Sequence, residues 1–269
     1  SPAKAAERLA EGLRLHSACY SNPGLAAKVA GRLIQANEAL GNLAGARSAL
    51  ADCRFFLSLP GAIAPGGLKL PPAPKPEEVV ELLTTIGSAE GEEGLAAVSA
   101  ALERVPGESL DENGIHALIL AVHMSSMREP VEWGLSLLET MISSGVPVDA
   151  RSENGRTALM IASNSARADV VQRLLAAGAD ARATDAEGFT ALHSALCDLA
   201  DHPVEPLLAI VQALCEALRE AGAPERIDAM HSGGLSALMY CAQLGSADDA
   251  DTAGGRAAAS KLGNGSKLG

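Results

Sequence analysis

The side chains that could bind a metal or act as nucleophiles are few and widely spaced in this chain of 269 residues. The most closely spaced histidine and cysteine are His16-x-x-Cys19. A zinc site needs three or four such ligands at matched spacing, so chance placement on a helix explains the pair better. No two of the five cysteines are spaced as Cys-x-x-Cys, which favours buried, reduced thiols over a disulfide framework.

The sequence contains no phosphate-binding Gly-x-x-x-x-Gly-Lys loop, no His-Glu-x-x-His pair and no Gly-x-Ser-x-Gly elbow. Its neighbouring carboxylates, such as Glu77-Glu78 and Glu92-Glu93, suit solvated helix starts better than an acid–base pair. We therefore predict no catalytic residues, no metal and no cofactor, and interpret the chain as a protein that is not an enzyme.

Composition and charge narrow the class of protein further. The chain is 48% apolar but has only three Phe, two Tyr and one Trp, so its core must consist of aliphatic side chains and alanine, which favours helices. Residues 1–75 contain nine Lys and Arg against four Asp and Glu, a balance of +5. Residues 76–269 contain 12 against 29, a balance of −17. The net charge of −12 argues against nucleic acid as the main partner.

Targeting and membrane signals are weak. No uninterrupted apolar run approaches the 18 residues of a membrane span, so we expect no transmembrane segment. The unpaired cysteines indicate a reducing intracellular compartment, and cytoplasm is the first choice. Because residue 1 is Ser rather than Met, a location in an organelle after removal of a presequence stays open.

The first 59 residues form a basic module with three predicted helices, over residues 4–20, 23–40 and 43–57. We predict that the second helix buries one apolar stripe, formed by Leu25, Val29, Leu33, Ala36 and Leu40. Its turn into the third helix resembles the turn of a tetratricopeptide repeat, and an ordinary helical hairpin is the alternative. Residues 60–76 hold six of the fourteen prolines and are predicted to be an extended linker.

The remaining sequence is repetitive. A segment Gly-x-x-Ala-Leu occurs at residues 114–118, 155–159, 188–192 and 234–238. A small residue follows each leucine by three positions, at Ala121, Ala162, Ala195 and Cys241. The central period is 33 residues, and insertions lengthen its neighbours to 41 and 46 residues. A Thr or Ser hydroxyl can cap the helix that begins there, and the small residue allows helices to stack closely.

These features resemble the ankyrin-repeat family over about residues 77–245, most closely at residues 185–193. The resemblance implies an all-α fold, an ankyrin-type helical solenoid of about four repeats plus a cap, which the small helical module precedes. It also implies that His193 bonds to the backbone of a neighbouring hairpin. Residues 246–269 are predicted to be a low-complexity tail.

The resemblance further implies a continuous concave surface for a protein partner. The positions that match the family's variable contact positions, and which we predict to bind the partner, are Met124, Arg151, Glu153, Asn154, Arg156, Thr184, Glu187, Phe189 and Asp198. Phe189 is expected to be exposed, either as a binding anchor or as a cover for the hairpin. The acidic charge around it suits a basic or mixed-charge segment of the partner.

The sequence therefore predicts a non-catalytic scaffold, an adaptor or a peripheral subunit of a larger assembly. Two alternatives stay open. The chain could be a regulatory fragment of a longer multidomain enzyme, or the basic module could dock on the acidic solenoid as an autoinhibited switch.

Overall fold

A computed structural model describes residues 2–14, 23–58, 75–105, 116–127, 131–197, 204–240 and 242. Its α-helices are α1 (Pro2–Arg14), α2 (Pro23–Ala39), α3 (Leu43–Ser58), α4 (Pro76–Ser88), α5 (Gly91–Arg104), α6 (Ala117–Met127), α7 (Val131–Ser143), α8 (Ala158–Asn164), α9 (Ala168–Ala176), α10 (Ala191–Leu196) and α11 (Val204–Glu220). A 3₁₀ helix spans Pro224–Asp228, and a further helix begins at residue 237. Within the described ranges, β-pairing is limited to the isolated bridges Arg151–Thr157 and Met230–Ser236, so the predicted all-α class is confirmed.

Helices α1, α2 and α3 pack together around their own apolar cluster. The apolar stripe predicted for α2 is wrong at its two ends, because Leu25 and Leu40 are exposed, whereas Leu33 is buried and Val29 and Ala36 pack against the cluster. Its buried face instead consists mainly of small residues, namely Pro23, Ala26, Ala27, Ala30, Gly31, Leu33 and Asn37. Since α2 contacts both α1 and α3, the helix turns its alanines inward, where they allow both neighbours to approach closely.

Cys53 lies at the centre of this cluster, where no part of it reaches solvent. Its thiol donates a hydrogen bond to the Ala27 carbonyl at 3.4 Å, which ties α3 to α2. Burial raises the pKa of the Cys53 thiol to about 11, and Asp52 adds to this rise. The thiol is therefore protonated and unreactive at neutral pH.

Helices α4 to α11 form two parallel rows of a solenoid. The inner row runs through α4, α6, α8 and α10, and the outer row contains α5, α7, α9 and α11. Each outer helix contacts the inner helix of its own pair, and α4 and α5 form the first pair of the stack. A single apolar core extends from Val79 to Ala237 through every layer. Each layer thus buries its apolar face on its neighbours, as in other repeat proteins.

Small residues decide how closely the inner helices approach one another. Ala121, Ala162 and Ala195 occupy the same position in α6, α8 and α10, and each is almost completely inaccessible to solvent. The inner helices contact one another in the order α4, α6, α8 and α10. Any larger side chain at these three positions would push neighbouring layers apart.

The inner helices of the four Gly-x-x-Ala-Leu repeats each begin with a side-chain cap. Thr157 and Thr190 accept hydrogen bonds from the amides of Met160 and His193, as the sequence predicts. Ser236 accepts one from the Met239 amide at 3.4 Å. The first repeat has His116 at this position, and its Nδ1 accepts from the Leu118 amide at 3.1 Å. An imidazole therefore caps α6 where the other repeats use a hydroxyl.

The outer helices α7, α9 and α11 all end in the same way, at Gly145, Gly178 and Gly222. Each glycine has a positive φ, between 68° and 89°, which side chains with a Cβ rarely adopt. The amide of the next residue reaches back five positions, as in the bond from Ala179 to the Leu174 carbonyl at 2.9 Å. This C-terminal cap, with its left-handed glycine, turns the chain back toward the next hairpin.

The predicted linker apart from residues 75–76, the predicted tail at 246–269, and parts of the predicted insertions around residues 125–133 and 199–206, namely 128–130 and 199–203, lie outside the described residues. The division into modules at residues 59 and 77 stays a prediction.

We expect Ala162→Leu to lower the free energy of unfolding by about 1–3 kcal/mol, because the larger side chain overpacks the contacts of α8 with its neighbouring inner helices. The matched control is Ala176→Leu, at an exposed position of α9. Urea unfolding of both variants measures the difference. An unchanged midpoint for Ala162→Leu would contradict the proposed close packing.

We also expect residues 77–245 to unfold cooperatively when residues 1–76 are removed, because the solenoid core is separate from the α1–α3 cluster. Circular dichroism during thermal unfolding tests this. A fragment that melts gradually, beside a full chain that melts sharply, would show that the boundary is misplaced.

Candidate functional site

Three tight hairpins project from the solenoid, at residues 152–156, 185–189 and 231–235. Each is closed by a bond from its first amide to its last carbonyl, at 2.9, 3.0 and 3.1 Å respectively. Gly188 must be glycine for two reasons. Its φ is +85°, and a Cβ there would lie 3.2 Å from the Cα of His231 in the next hairpin.

Backbone hydrogen bonds join the three hairpins into one surface, which we call the hairpin strip (residues 152–156, 185–189 and 231–235). The Ala186 amide donates to the Asn154 carbonyl at 3.1 Å, and the Ser232 amide donates to the Glu187 carbonyl at 2.7 Å. Neighbouring repeats are thus held in register at the hairpins as well as in the core. The strip is a rigid, continuous platform.

Several predicted contact residues lie on this platform and reach solvent. Glu153, Asn154 and Glu187 are exposed at the tips of the first two hairpins. Arg156 is about half exposed, and its Nε lies 4.0 Å from Oδ2 of Asp185 in the neighbouring hairpin. An acidic edge with one basic side chain beside it is therefore available to another molecule.

Arg151 and Thr184 are only 7% and 8% exposed, which is too little for contact with a partner. A guanidinium nitrogen of Arg151 donates to the carbonyls of Gly155 at 3.2 Å and Thr184 at 2.7 Å. The predicted contact role at these two positions is therefore corrected. Their side chain and backbone are used to hold one hairpin to the next.

Two other predicted residues are less informative. Met124 is half-buried on α6 and packs against the solenoid core, so only part of its side chain is available. Asp198 lies outside the described residues.

Phe189 is half-buried rather than fully exposed. Its ring stacks on His231 with centroids 4.5 Å apart and an angle of 14°, so it covers the next hairpin. His193 and Tyr240 contact it edge-on, at 5.4 and 5.8 Å. These four rings form an aromatic cluster, which the sequence could not show because its members come from two different repeats.

His193 links two repeats through both ring nitrogens. Nδ1 accepts from the Thr190 amide at 3.2 Å, and Nε2 donates to the Leu235 carbonyl of the next repeat at 3.2 Å. This is the backbone bond that the ankyrin resemblance implies. Burial lowers the pKa of His193, although the bond to Leu235 acts in the opposite direction. The neutral ring is the form that these bonds require.

The carboxylate of Asp185 shapes the middle hairpin. One oxygen accepts from the amides of Phe189 at 2.8 Å and Glu187 at 3.0 Å. Burial nevertheless raises the pKa of Asp185 above its usual range, because the cost of desolvation exceeds the effect of these bonds and of Arg156. The signal in the sequence is an aspartate that opens a turn closed by glycine.

A cleft of about 590 Å³ separates the N-terminal helices from the loops that follow α7 and α9. Its polar lining includes Asn37 and Asp52 on one side and Asp149, Arg151 and Asp180 on the other. Arg151 Nε lies 3.6 Å from the Asp52 carboxylate, and this ion pair bridges the two sides. Sequence reasoning missed the cleft, since no local pattern records which loops meet α3.

Among the described residues, no three His, Cys, Asp or Glu side chains are arranged to hold a metal ion. None of the helices in those ranges is both long and apolar enough to cross a bilayer.

The His193 bonds predict a pH dependence of stability. The folded state holds the pKa of His193 below its ordinary value of about 6.5, so the unfolded chain takes up the proton first. The stabilising contribution is complete above that value and is lost as the pH falls through the lower pKa of the folded state. We expect the free energy of unfolding, measured by urea titration, to decrease as the pH is lowered from 7.5 to 5.5, by less than about 1.4 kcal/mol per pH unit. The dependence should flatten in His193→Gln, whereas an equally steep profile would assign it to other groups.

The chain has a recognisable match among protein families. Residues 129–217 match the family model described as ankyrin repeats, in three copies. The matched range contains α7 to α10 and most of α11, together with two of the three hairpins. Ankyrin repeats form a protein-interaction module, and residues 129–217 of this chain match that module.

Proposed function

We propose that this protein is a non-catalytic scaffold that binds another protein through the hairpin strip and the exposed parts of the neighbouring inner helices. The observation that carries the proposal is the pair of hydrogen bonds that joins the three hairpins. A platform that is already ordered loses little conformational entropy on binding, so contacts made to it contribute more of their energy to affinity.

The chemistry of the strip suggests the kind of partner. Glu153 and Glu187 are exposed on adjacent tips, and the hairpin that follows them presents Ser and Gly without a charged side chain at its tip. Residues 76–269 carry a balance of −17. Such a field accelerates encounter with a basic or mixed-charge segment and repels nucleic acid.

Apolar contact on this surface is more limited than the sequence suggests. Phe189 packs on His231, and Met124 packs on the core, so both offer a partner only one side. Phe189→Ala would remove contacts inside the protein as well as contacts to a partner. Charge substitutions at the tips are therefore the cleaner test.

The autoinhibited switch has less support than the scaffold. Asp52 and Arg151 form the ion pair across the cleft, with the acidic member on the N-terminal helix and the basic member on the solenoid. This is the reverse of the pairing that a basic module on an acidic solenoid requires. The exposed tips Glu153 and Glu187 are not among the residues that line this cleft.

The test starts with a partner captured by the full chain and identified by mass spectrometry. We expect Glu153→Lys with Glu187→Lys to slow its association by about tenfold at low salt, with little change in the dissociation rate. Surface plasmon resonance at several salt concentrations measures both rates. The effect should shrink as salt screens the charges.

The matched control is Glu92→Lys with Glu103→Lys, which makes the same change in net charge on exposed positions of α5. If both double variants slow association equally, only net charge matters. If neither does, the partner binds elsewhere and the hairpin strip is not its site.

A further inference from the structure

The last inner helix of the solenoid exposes the side chains that every earlier repeat buries. The leucine of the Gly-x-x-Ala-Leu segment is 0% exposed at Leu118, 1% at Leu159 and 4% at Leu192, but 63% at Leu238. The next position repeats the contrast, since Met239 is 51% exposed and its equivalents Ile119, Met160 and His193 are buried. The alanine before the leucine stays buried in all four copies. The fourth inner helix therefore sits in the stack like the others, but nothing among the described residues covers Leu238 and Met239.

The other pairs show what provides the cover. In each of them an outer helix contacts its own inner helix, and α11 contacts both α10 of its own repeat and α9 of the preceding one. By the same pattern, an outer helix of the fourth repeat would lie against Leu238 and Met239 and beside α11. We call Leu238 and Met239 the end face.

The sequence that follows is poorly suited to cover the end face. The outer helix α9 presents two valines and two leucines within residues 170–175. Residues 245–261 contain no Val, Ile, Leu, Met or aromatic residue at all. A helix from this stretch would bury alanine only, which provides a much smaller apolar area.

Because outer helices of the earlier repeats contact one another, a helix that covers the end face would lie beside α11, and the charge on α11 distinguishes a second copy of the chain from a different partner. The exposed charged residues of α11 and the 3₁₀ helix are mostly acidic: Glu205, Glu216, Glu220, Glu225 and Asp228 against Arg219. Two copies that met through this end would place like charges opposite one another. A helix with basic flanks would instead pair with them.

We propose that the end face binds an amphipathic helix of a partner protein, with apolar side chains on one side and Lys or Arg on its flanks, in the place that an outer helix occupies in the earlier repeats. The binding mode is a helix laid into an apolar groove, with anchors spaced three and four residues apart. The end face contains no residue of the hairpin strip, and the variants that test it differ from those at Glu153 and Glu187, so the failure of one proposal can be told from the failure of the other.

The probe for this proposal is a synthetic helix of about 18 residues, or roughly five turns, with Leu at helical spacing and Lys elsewhere. A matched peptide carries Glu in place of every Lys. We expect the full chain to bind the Lys peptide at least about tenfold more tightly than the Glu peptide, as measured by fluorescence anisotropy. Leu238→Ser with Met239→Ser should weaken binding of the Lys peptide by about tenfold or more. Both residues are already exposed, so circular dichroism should show an intact fold.

Leu25→Ser with Leu40→Ser is the matched control, because these apolar side chains are exposed on the N-terminal side of the chain. It should leave the affinity unchanged. Equal weakening by both double variants, or no weakening by the first, would overturn the proposal.

Oxidation of methionine by hydroxyl radicals, read by mass spectrometry, tests whether the end face is free. In the full chain alone Met239 should oxidise much faster than buried Met141 and Met160, and the Lys peptide should protect it. Slow oxidation of Met239 in the free chain would show that residues 243–269 or a second copy already cover the face. A concentration-dependent dimer that Leu238→Ser abolishes would assign the face to self-association. Either result would overturn the proposal.

Discussion

Burial of one leucine per repeat is the constraint on which the rest of the solenoid depends, and no single repeat satisfies it. Leu118, Leu159 and Leu192 are buried where an outer helix and a neighbouring layer cover them, and Leu238 is exposed where none of the described residues forms such a cover. The close approach of the layers requires alanine three positions later, and the caps at Thr157 and Thr190 fix where each inner helix begins. Sequence repeats, small residues and caps are thus parts of a single packing solution.

The hairpins also join neighbouring repeats, but they do so through polar groups. Arg151 bonds to carbonyls of two hairpins, His193 bonds to the backbone of the next repeat, and Asp185 bonds to amides of its own turn. All three are titratable or charged, and all three are buried. Their polar atoms have partners in the backbone, which is how a buried polar group avoids a large cost. These three side chains could bind a ligand by type, but here their polar atoms stabilise the hairpins and the contacts between neighbouring repeats.

Local signals in the sequence predicted the local structure well. Pro23 begins α2, Gly178 ends α9, and Thr190 caps α10, because each of these roles depends on a few neighbouring residues. The interior face of α2 was predicted wrongly at its two ends, since the choice between its leucines and its alanines depends on helices α1 and α3 that lie on both sides of it. Position in a repeat likewise indicated that Arg151 and Phe189 lie at the hairpins. It could not indicate that one is buried and the other half-buried, because their neighbours belong to the following repeat.

The two candidate surfaces differ in which side chains remain exposed after the others have bonded or packed within the fold. On the hairpin strip the buried polar groups are satisfied within the fold, which leaves Glu153, Asn154 and Glu187 as groups whose strongest interactions are still with water. Contacts of that kind affect encounter and selectivity more than lifetime, since exposed charges are well solvated and screened. At the end face the unused groups are apolar, and covering them releases water from Leu238 and Met239 without any charge to desolvate. A partner held for long by this protein would therefore need apolar contacts of the second kind, because charge at the hairpin tips alone favours rapid exchange.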